Sequence, residues 1–314
     1  MSSTDEQQGQ RRVGDGTPPP MSFEVQLPGP LDIPASLELF RCNGDDLIDR
    51  WDGVMLLRTL PVESQSVAYA CTVSGTREEP LLRVFLEDAT WRLVAEKALM
   101  ASFVKAPTAW AALLQTDPVL ARLEHIYRGL RPVLQHDLLT ALIRSISAQQ
   151  VNLRWATTLR RRLAEVFGEK HFIGGQVVYS LHAGRLAAAR PADIRALQFT
   201  MRKAEYIIGV AETIASGDLQ LARLAELSDE EVILRLTSIR GIGRWTAEWL
   251  LVRTLGRPCV VAGDLAVRKA IGQAYLLKRT CPSEQEVREV TVHWEASASI
   301  AQTLLLQGLR DGAI

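Results

Sequence analysis

The chain has 314 residues, of which 47% are hydrophobic, and its formal net charge is zero. This length is enough for two domains with a sizeable core. The charge balance excludes a polyanion-binding protein that is basic over its whole surface, although a local basic face remains compatible with it. Taken alone, neutrality favours small-molecule or protein partners.

Cysteine and histidine spacing argues against a metal cluster. The cysteines are Cys42, Cys71, Cys259 and Cys281. They are too far apart for the closely spaced sets that hold zinc or an iron–sulfur cluster, and the five histidines share no metal-ligand spacing. The N-terminus has no signal-peptide apolar region, and no apolar run is long enough to span a membrane. We therefore expect reduced cysteines, no iron–sulfur cluster, no membrane contact and a cytoplasmic location.

The N-terminal part of the chain predicts a small α+β domain over residues 21–107, after a polar, proline-ending stretch (residues 1–20) that is typical of a disordered tail. Apolar alternation and short apolar runs predict four strands, over Phe23–Leu27, Gly53–Leu60, Val67–Val73 and Leu81–Phe85. Helices are expected near Ala35–Phe40 and over Trp91–Phe103. Strands and helices in this mixture indicate an α+β unit.

From residue 108 to residue 314 the pattern changes to helices, so we predict an all-α domain here. Helical periodicity with end signals predicts helices over Asp137–Ala148, Leu153–Phe167, Pro191–Leu197, Arg202–Ser216, Glu230–Thr237, Arg244–Leu255 and Leu265–Leu276. The spacings Ser228…Glu231 and Ser283…Glu286 are those of capping boxes. The predicted fold class is therefore an α+β domain followed by an all-α domain.

Two glycines flank one apolar residue in Gly241-Ile242-Gly243, between two predicted helices. Glycine allows a sharp turn, and free N–H groups at the start of the second helix favour an anion such as phosphate. Arg240 and Arg244 add positive charge on either side of the turn. The alternative is a turn that only joins two core helices.

Two tryptophans and one acid follow this turn. Trp245 and Trp249 are four residues apart and share one helix face, either as a core pair or as a wall on which an extruded base stacks. Asp264 follows an apolar run and begins a helix, so it is a helix cap, a carboxylate that stabilises charge on a sugar, or both. Glu248 is expected to be solvated, which leaves no second acid for a two-carboxylate mechanism.

The stretch Leu236–Ala247 together with Gly263-Asp264 resembles the helix–hairpin–helix base-excision DNA glycosylases, and within them the 3-methyladenine DNA glycosylase II family. The segments Asp117–Gln150 and Met201–Ile207 are similar to parts of that family's helical domain. The resemblance covers most of residues 21–310 and is most specific at the hairpin and the aspartate. It implies the helix–hairpin–helix glycosylase fold for the all-α domain.

By this resemblance Asp264 is the catalytic aspartate, while Gly241, Gly243 and Arg244 bind DNA at a phosphate. Trp245 stands where lyase-competent relatives place a Schiff-base lysine. An indole offers no amine for that step, so the resemblance implies water as the nucleophile and a monofunctional reaction.

The resemblance also assigns the base pocket and the loop beside it. Trp245, Trp249 and Trp294 match its pocket positions, although Trp294 is also compatible with an ordinary core aromatic. Gln149 or Gln150 matches the loop whose side chain fills the gap left by the extruded base. The backbone of Ile239 and Gly241 matches the position of an optional structural monovalent cation, and no cofactor is required.

The sequence therefore predicts a monomeric, monofunctional DNA glycosylase that removes alkylated purines, 3-methyladenine foremost, from damaged double-stranded DNA in base excision repair. We expect it in the cytoplasm with the nucleoid. The alternatives are a glycosylase for other damaged bases, a non-catalytic helix–hairpin–helix DNA-binding protein and, from net charge alone, a protein-interaction domain. A cluster-binding cysteine run, or lysine in place of Trp245, would favour oxidised or mismatched bases; the sequence has neither.

Overall fold

The structure is a computed structural model that describes residues 21–63, 65–275 and 281–314. The predicted disordered tail over residues 1–20 lies outside the described residues, as does Leu276 at the end of one predicted helix. None of the helices in the described residues is long and apolar enough to cross a membrane.

A five-stranded antiparallel sheet occupies the N-terminal region. Its strands are β1 (Met21–Gln26), β2 (Arg50–Trp51), β3 (Met55–Val62), β4 (Gln65–Gly75) and β5 (Pro80–Leu86). They lie in the order β1-β5-β4-β3-β2. The predicted alternation is confirmed in β1, where Val25 is buried and Glu24 is exposed.

Two helices pack with this sheet, α1 (Ile33–Leu37) and α2 (Arg92–Met100). Leu37 from α1 and Leu99 from α2 share a hydrophobic core with strand residues such as Val25. The N-terminal region is therefore an α+β unit, as its pattern indicated.

Helices dominate the rest of the chain. In the described residues they are α3 (Trp110–Thr116), α4 (Pro118–Ile126), α5 (Leu138–Ala148), α6 (Leu153–Phe167), α7 (Ala183–Ala187), α8 (Pro191–Ala196), α9 (Met201–Ala215), α10 (Leu221–Glu226), α11 (Asp229–Thr237), α12 (Arg244–Arg253), α13 (Leu265–Tyr275), α14 (Glu284–Thr291) and α15 (Ala298–Asp311). Both predicted capping boxes form, at the starts of α11 and α14.

The prediction of an all-α region after residue 108 is wrong at one point. Strands β6 (Glu169–Ile173) and β7 (Gln176–Ser180) form an antiparallel hairpin. Its buried side chains Ile173 and Val178 pack with Leu57 of β3. The hairpin thus covers a face of the N-terminal sheet. The sequence did not predict it, because each strand has only five residues, too few for apolar alternation to stand out from the surrounding helical pattern.

The packing of the helices brings the loop after α5 close to the turn before α12. Side chains of α5, α9 and α12 share one hydrophobic core, and those of α13 and α15 share another. The hydroxyl of Ser145 in α5 donates a hydrogen bond to the hydroxyl of Thr246 in α12, at 2.9 Å. The loop after α5 therefore lies close to the turn before α12.

Buried charges join the sheet to the helices. Arg58 of β3 contacts Asp49 at 2.6 Å, and Arg144 of α5 contacts both Asp46 and Asp49 at 2.8 and 2.7 Å. Arg160 of α6 contacts Asp46 at 2.8 Å. Removing one partner of a buried ion pair leaves an uncompensated charge, which makes such a network sensitive to single substitutions.

We expect Asp49→Asn to lower the free energy of unfolding by about 3–5 kcal/mol at neutral pH, because it leaves the buried Arg58 without its anion. Burial opposes ionisation of Asp49, but the charges of Arg58 and Arg144 outweigh it and hold the pKa of the carboxyl well below its usual 3.8. The contribution of Asp49 is therefore present above that usual value and is lost as the pH falls toward the folded-state pKa. Denaturant unfolding at neutral and acidic pH measures both effects.

The control for this prediction is Asp45→Asn, which removes a carboxylate that is 40% exposed and paired with Arg50. We expect a change below about 1 kcal/mol there. A loss at Asp49 no larger than the loss at Asp45 would contradict the role assigned to the network.

Candidate active site

The turn between α11 and α12 is a tight hairpin whose shape depends on Gly241. Its φ is +92°, a left-handed conformation that glycine adopts readily. A Cβ at this position would lie 2.2 Å from a ring carbon of Tyr206 in α9, so the backbone packs directly on that ring. Ile242 is 4% exposed and anchors the turn in the core.

Gly243 is the N-cap residue of α12 and is exposed, and no side chain caps this helix start. The first-turn N–H groups of an α-helix have no partner within the helix, so they remain available to an anion. Arg244 follows directly with a side chain that is 58% exposed. The predicted phosphate-binding residues therefore lie on an accessible surface.

The two glutamines at the end of α5 have different environments. The side-chain amide of Gln149 donates a hydrogen bond to the carbonyl oxygen of Gly241, at 3.0 Å. Gln150 is exposed and has a φ of +56°, a left-handed conformation unusual for a residue with a side chain. Gln149 thus links its loop to the hairpin, while Gln150 projects from the surface.

The carbonyl groups predicted to hold a monovalent cation already have hydrogen-bond donors. The Gly241 oxygen accepts from Gln149, and the Ile239 oxygen accepts from the N–H of Ile242 at 3.0 Å. Two carbonyl oxygens engaged in this way do not form an oxygen cage by themselves. The cation stays a prediction, and no step below depends on it.

Asp264 is held by four N–H donors. One carboxylate oxygen, Oδ2, accepts from the indole nitrogens of Trp245 at 2.9 Å and Trp249 at 3.2 Å. The other, Oδ1, accepts from the backbone N–H groups of Ala266 at 2.9 Å and Val267 at 3.1 Å. Asp264 is therefore both the cap of α13 and a partly buried acid beside the two indoles, as the sequence predicted.

The i, i+4 spacing of Trp245 and Trp249 places both on one face of α12, which their shared bond to Asp264 confirms. Both side chains are partly exposed. The Arg253 guanidinium carbon lies 5.6 Å from the centre of the Trp249 ring. Burial lowers the pKa of Arg253 to about 10, with a smaller effect from Arg310. The cation beside Trp249 lies in a poorly solvated environment.

Trp294 does not lie on an open surface. It is 1% exposed and packs in the core shared by α13 and α15, with the ring of Tyr275 at a centroid distance of 6.1 Å. The structure therefore corrects the prediction that Trp294 lines the base pocket. The small residues that follow it, such as Ala298, belong to the same core and allow this close packing.

The structure also corrects the prediction that Glu248 is solvated. Its side chain is 2% exposed, and its Oε1 atom accepts from Arg244 Nε at 2.9 Å and from Arg288 Nη2 at 2.7 Å. The sequence contained a signal for this burial. Helix α12 has apolar residues on all its sides, which is typical of a helix buried on several faces.

Other basic residues near the hairpin in sequence have partners within the protein. Arg257 contacts Asp229 at 2.8 Å, and Arg268 donates to the carbonyl oxygen of Pro282 at 2.6 Å. Proximity to the hairpin in sequence therefore does not make a basic residue available to a ligand at this surface. Arg288, on α14, was not predicted, because its proximity to Arg244 arises only from tertiary packing.

Comparison with known proteins places this site in a family. Residues 143–296 match the family described as HhH-GPD superfamily base excision DNA repair protein. The DNA-3-methyladenine glycosylase 1 of Schizosaccharomyces pombe is 31% identical over 183 residues, which are 58% of this chain and 76% of that protein. The chain belongs to the HhH-GPD superfamily of base excision DNA repair proteins. The helix–hairpin–helix resemblance seen in the sequence is thereby confirmed.

Other similar proteins extend this comparison. The DNA-3-methyladenine glycosylase of Bacillus subtilis is 31% identical over 196 residues, which are 62% of this chain and 64% of that protein. The match therefore spans just under two thirds of that relative. A 3-methyladenine DNA-glycosylase structure from Archaeoglobus fulgidus has a TM-score of 0.82 at 21% identity, over 93% of this chain and 100% of that one. This last likeness is one of fold, and it includes the N-terminal sheet.

We expect Gly241→Ala to lower the free energy of unfolding by at least about 1–3 kcal/mol, the usual cost of a side chain at a left-handed position. The clash with Tyr206 adds to this cost or moves the hairpin. The same variant should bind duplex DNA more weakly. Denaturant unfolding and fluorescence anisotropy measure the two effects.

Gly243→Ala is the matched control for stability. Its φ is −97°, and nothing lies within 4 Å of the added Cβ. We expect that variant to keep most of the wild-type stability. Equal destabilisation by the two substitutions would show that the close approach to Tyr206 does not determine the shape of the turn.

Proposed function

We propose that this protein is a monofunctional DNA glycosylase that hydrolyses the N-glycosidic bond of alkylated purines, with 3-methyladenine as the principal substrate. The observation that carries the proposal is the Asp264 carboxylate, oriented by Trp245 and Trp249 in a family of base excision repair proteins. The relatives named DNA-3-methyladenine glycosylase support the choice of substrate.

The hairpin is the proposed contact with the DNA backbone. Free N–H groups at the start of α12 and the exposed Arg244 bind a phosphate, which positions the protein without reading sequence. This arrangement also explains how a chain of zero net charge binds a polyanion, because the positive potential is local.

Gln150 is the proposed side chain that fills the gap left by an extruded nucleotide. It is exposed, and it lies in a left-handed backbone conformation directly after the residue that ends α5. Gln149 is assigned a different role, because its amide is engaged with the hairpin. Extrusion is required because the glycosidic bond of a stacked base is inaccessible to the site.

The extruded base stacks against the indoles of Trp245 and Trp249. Alkylated purines carry positive charge, and indole faces attract cations. The same charge makes the base a good leaving group, so the pocket needs few base-specific hydrogen bonds.

Asp264 stabilises the positive charge that develops on the deoxyribose as the base leaves. Its four donors hold the carboxylate in place before the reaction, which is the condition for efficient electrostatic stabilisation. Water then attacks the sugar, since Trp245 has no amine that could form a Schiff base. Glu248 is not a second catalytic acid, because two guanidinium groups already hold it.

All the residues assigned to this mechanism come from one chain, which supports action as a monomer on damaged double-stranded DNA. A DNA-binding module without catalysis would need the hairpin alone. The oriented acid and the two indoles have no use in phosphate binding, so they favour the enzyme.

We expect Asp264→Asn to abolish release of base from methylated DNA while the affinity for duplex DNA survives. The amide oxygen can still cap α13 at Ala266 and Val267, whereas the amide nitrogen cannot accept from the two indoles, so the negative charge and both indole hydrogen bonds are lost. Liberated base is measured by chromatography and affinity by fluorescence anisotropy.

Asp88→Asn is the control for this substitution. Asp88 likewise accepts a backbone N–H, from Thr90, but lies exposed in the N-terminal region. That variant should release base at the wild-type rate. Wild-type activity in Asp264→Asn would rule out the assigned role.

We expect Trp245→Ala to lower the rate of base release more than the affinity for undamaged DNA, because it removes both a stacking face and a donor to Asp264. Trp245→Phe keeps an aromatic face and loses only the donor, so its rate should be intermediate. Single-turnover kinetics and anisotropy separate the two effects.

The control is Trp91→Ala, in the N-terminal region. Equal losses of rate and affinity in Trp245→Ala would make this tryptophan structural.

A further inference from the structure

Two arginines from different helices converge on one buried carboxylate beside the hairpin. Arg244 opens α12 and Arg288 lies in the middle of α14, and both donate to the same oxygen, Glu248 Oε1. Because the two nitrogens contact one atom, the guanidinium groups lie side by side. Glu248 thereby fixes the distance between a hairpin residue and a residue of α14.

The Glu248 carboxylate is buried, whereas the Arg244 and Arg288 side chains are solvent-accessible. Glu248 is 2% exposed, whereas the side chains of Arg244 and Arg288 are 58% and 40% exposed. A pair made only to neutralise a buried acid needs one cation. Here two cations share one anion, which leaves one net positive charge on accessible groups.

Independent contacts place α14 next to the loop that carries the catalytic acid. A Cβ at Gly263 would lie 3.3 Å from a carboxylate oxygen of Glu284, in the first turn of α14. The charges of Glu248, Arg244 and Arg288 also act on the Cys259 thiol, whose pKa rises to about 12 chiefly through burial and then through Glu248 and Asp229. Asp229 is itself paired with Arg257 at 2.8 Å.

We propose that Arg288, held at a fixed distance from Arg244 by Glu248, binds a second DNA phosphate, next to the one held by the hairpin amides and Arg244. The proposal rests on the proposed function only in requiring that DNA lies along the hairpin. Guanidinium groups suit this role, because they present several donors in a rigid plane and keep their charge. Arg288 is thus a DNA-binding residue remote from the reacting atoms, and Glu248 is a positioning residue.

The test measures the affinity of the full-length protein for a duplex that contains a tetrahydrofuran abasic-site analogue, which is not hydrolysed. Each phosphate contact contributes about 0.9 to the slope of log affinity against log salt concentration. We therefore expect Arg288→Gln to make the slope shallower by about 0.9 between about 50 and 200 mM salt. On methylated DNA it should raise KM and leave kcat unchanged.

Two further variants keep the test decisive. Glu248→Gln combined with Arg288→Gln removes the buried charge with its partner, so it should fold even if Arg288→Gln alone is unstable. Its slope should be at least as shallow as that of Arg288→Gln, because Arg244 also loses its ion pair with Glu248. Arg41→Gln removes an exposed arginine that is paired with Glu38 in the N-terminal region. Its slope should equal that of the wild type.

An unchanged salt slope in folded Arg288→Gln or in the double variant would overturn the proposal and leave Arg288 as a partner of Glu248 alone. The proposed function fails separately. If the wild type releases no base but the slope still falls in Arg288→Gln, the phosphate contact stands without the glycosylase. If the wild type releases base and the slope does not fall, only the phosphate contact is lost.

Discussion

A single carboxylate, that of Asp264, joins the two helices on which the site is built. Asp264 Oδ2 accepts both indole N–H groups of α12, while Oδ1 caps α13. The position of the acid is therefore set by backbone and side chains together, and neither helix can shift without breaking some of these bonds. The hairpin lies at the start of the same α12, so the amides proposed to bind phosphate and the two indoles that hold the acid lie on one helix.

The parts of this arrangement that were predictable depend on local rules. The i, i+4 spacing of Trp245 and Trp249, the two-glycine turn and the capping position of Asp264 each follow from a few neighbouring residues. Their predicted proximity is confirmed for these reasons. The four predicted strands of the N-terminal sheet and long helices such as α5, α6 and α9 were predictable on the same basis.

The features that the sequence did not reveal depend on contacts between distant segments. The β6–β7 hairpin is stabilised by burial against β3, which its own ten residues do not encode. Trp294 could have faced a pocket or a core, and only the packing of α13 on α15 decides for the core. The ion pair of Glu248 with Arg288 joins residues forty positions apart in the chain, so no local pattern predicts it.

The link between Gln149 and the Gly241 carbonyl has a consequence for how DNA is searched. It connects the loop that carries Gln150 to the turn proposed to hold the DNA backbone, so the proposed gap-filling side chain and the bound strand would keep a constant spacing. Along a duplex, the nucleotide under inspection would always be the same number of steps from the gripped phosphate. Sliding by one base pair would then present each successive nucleotide to Gln150 in identical geometry.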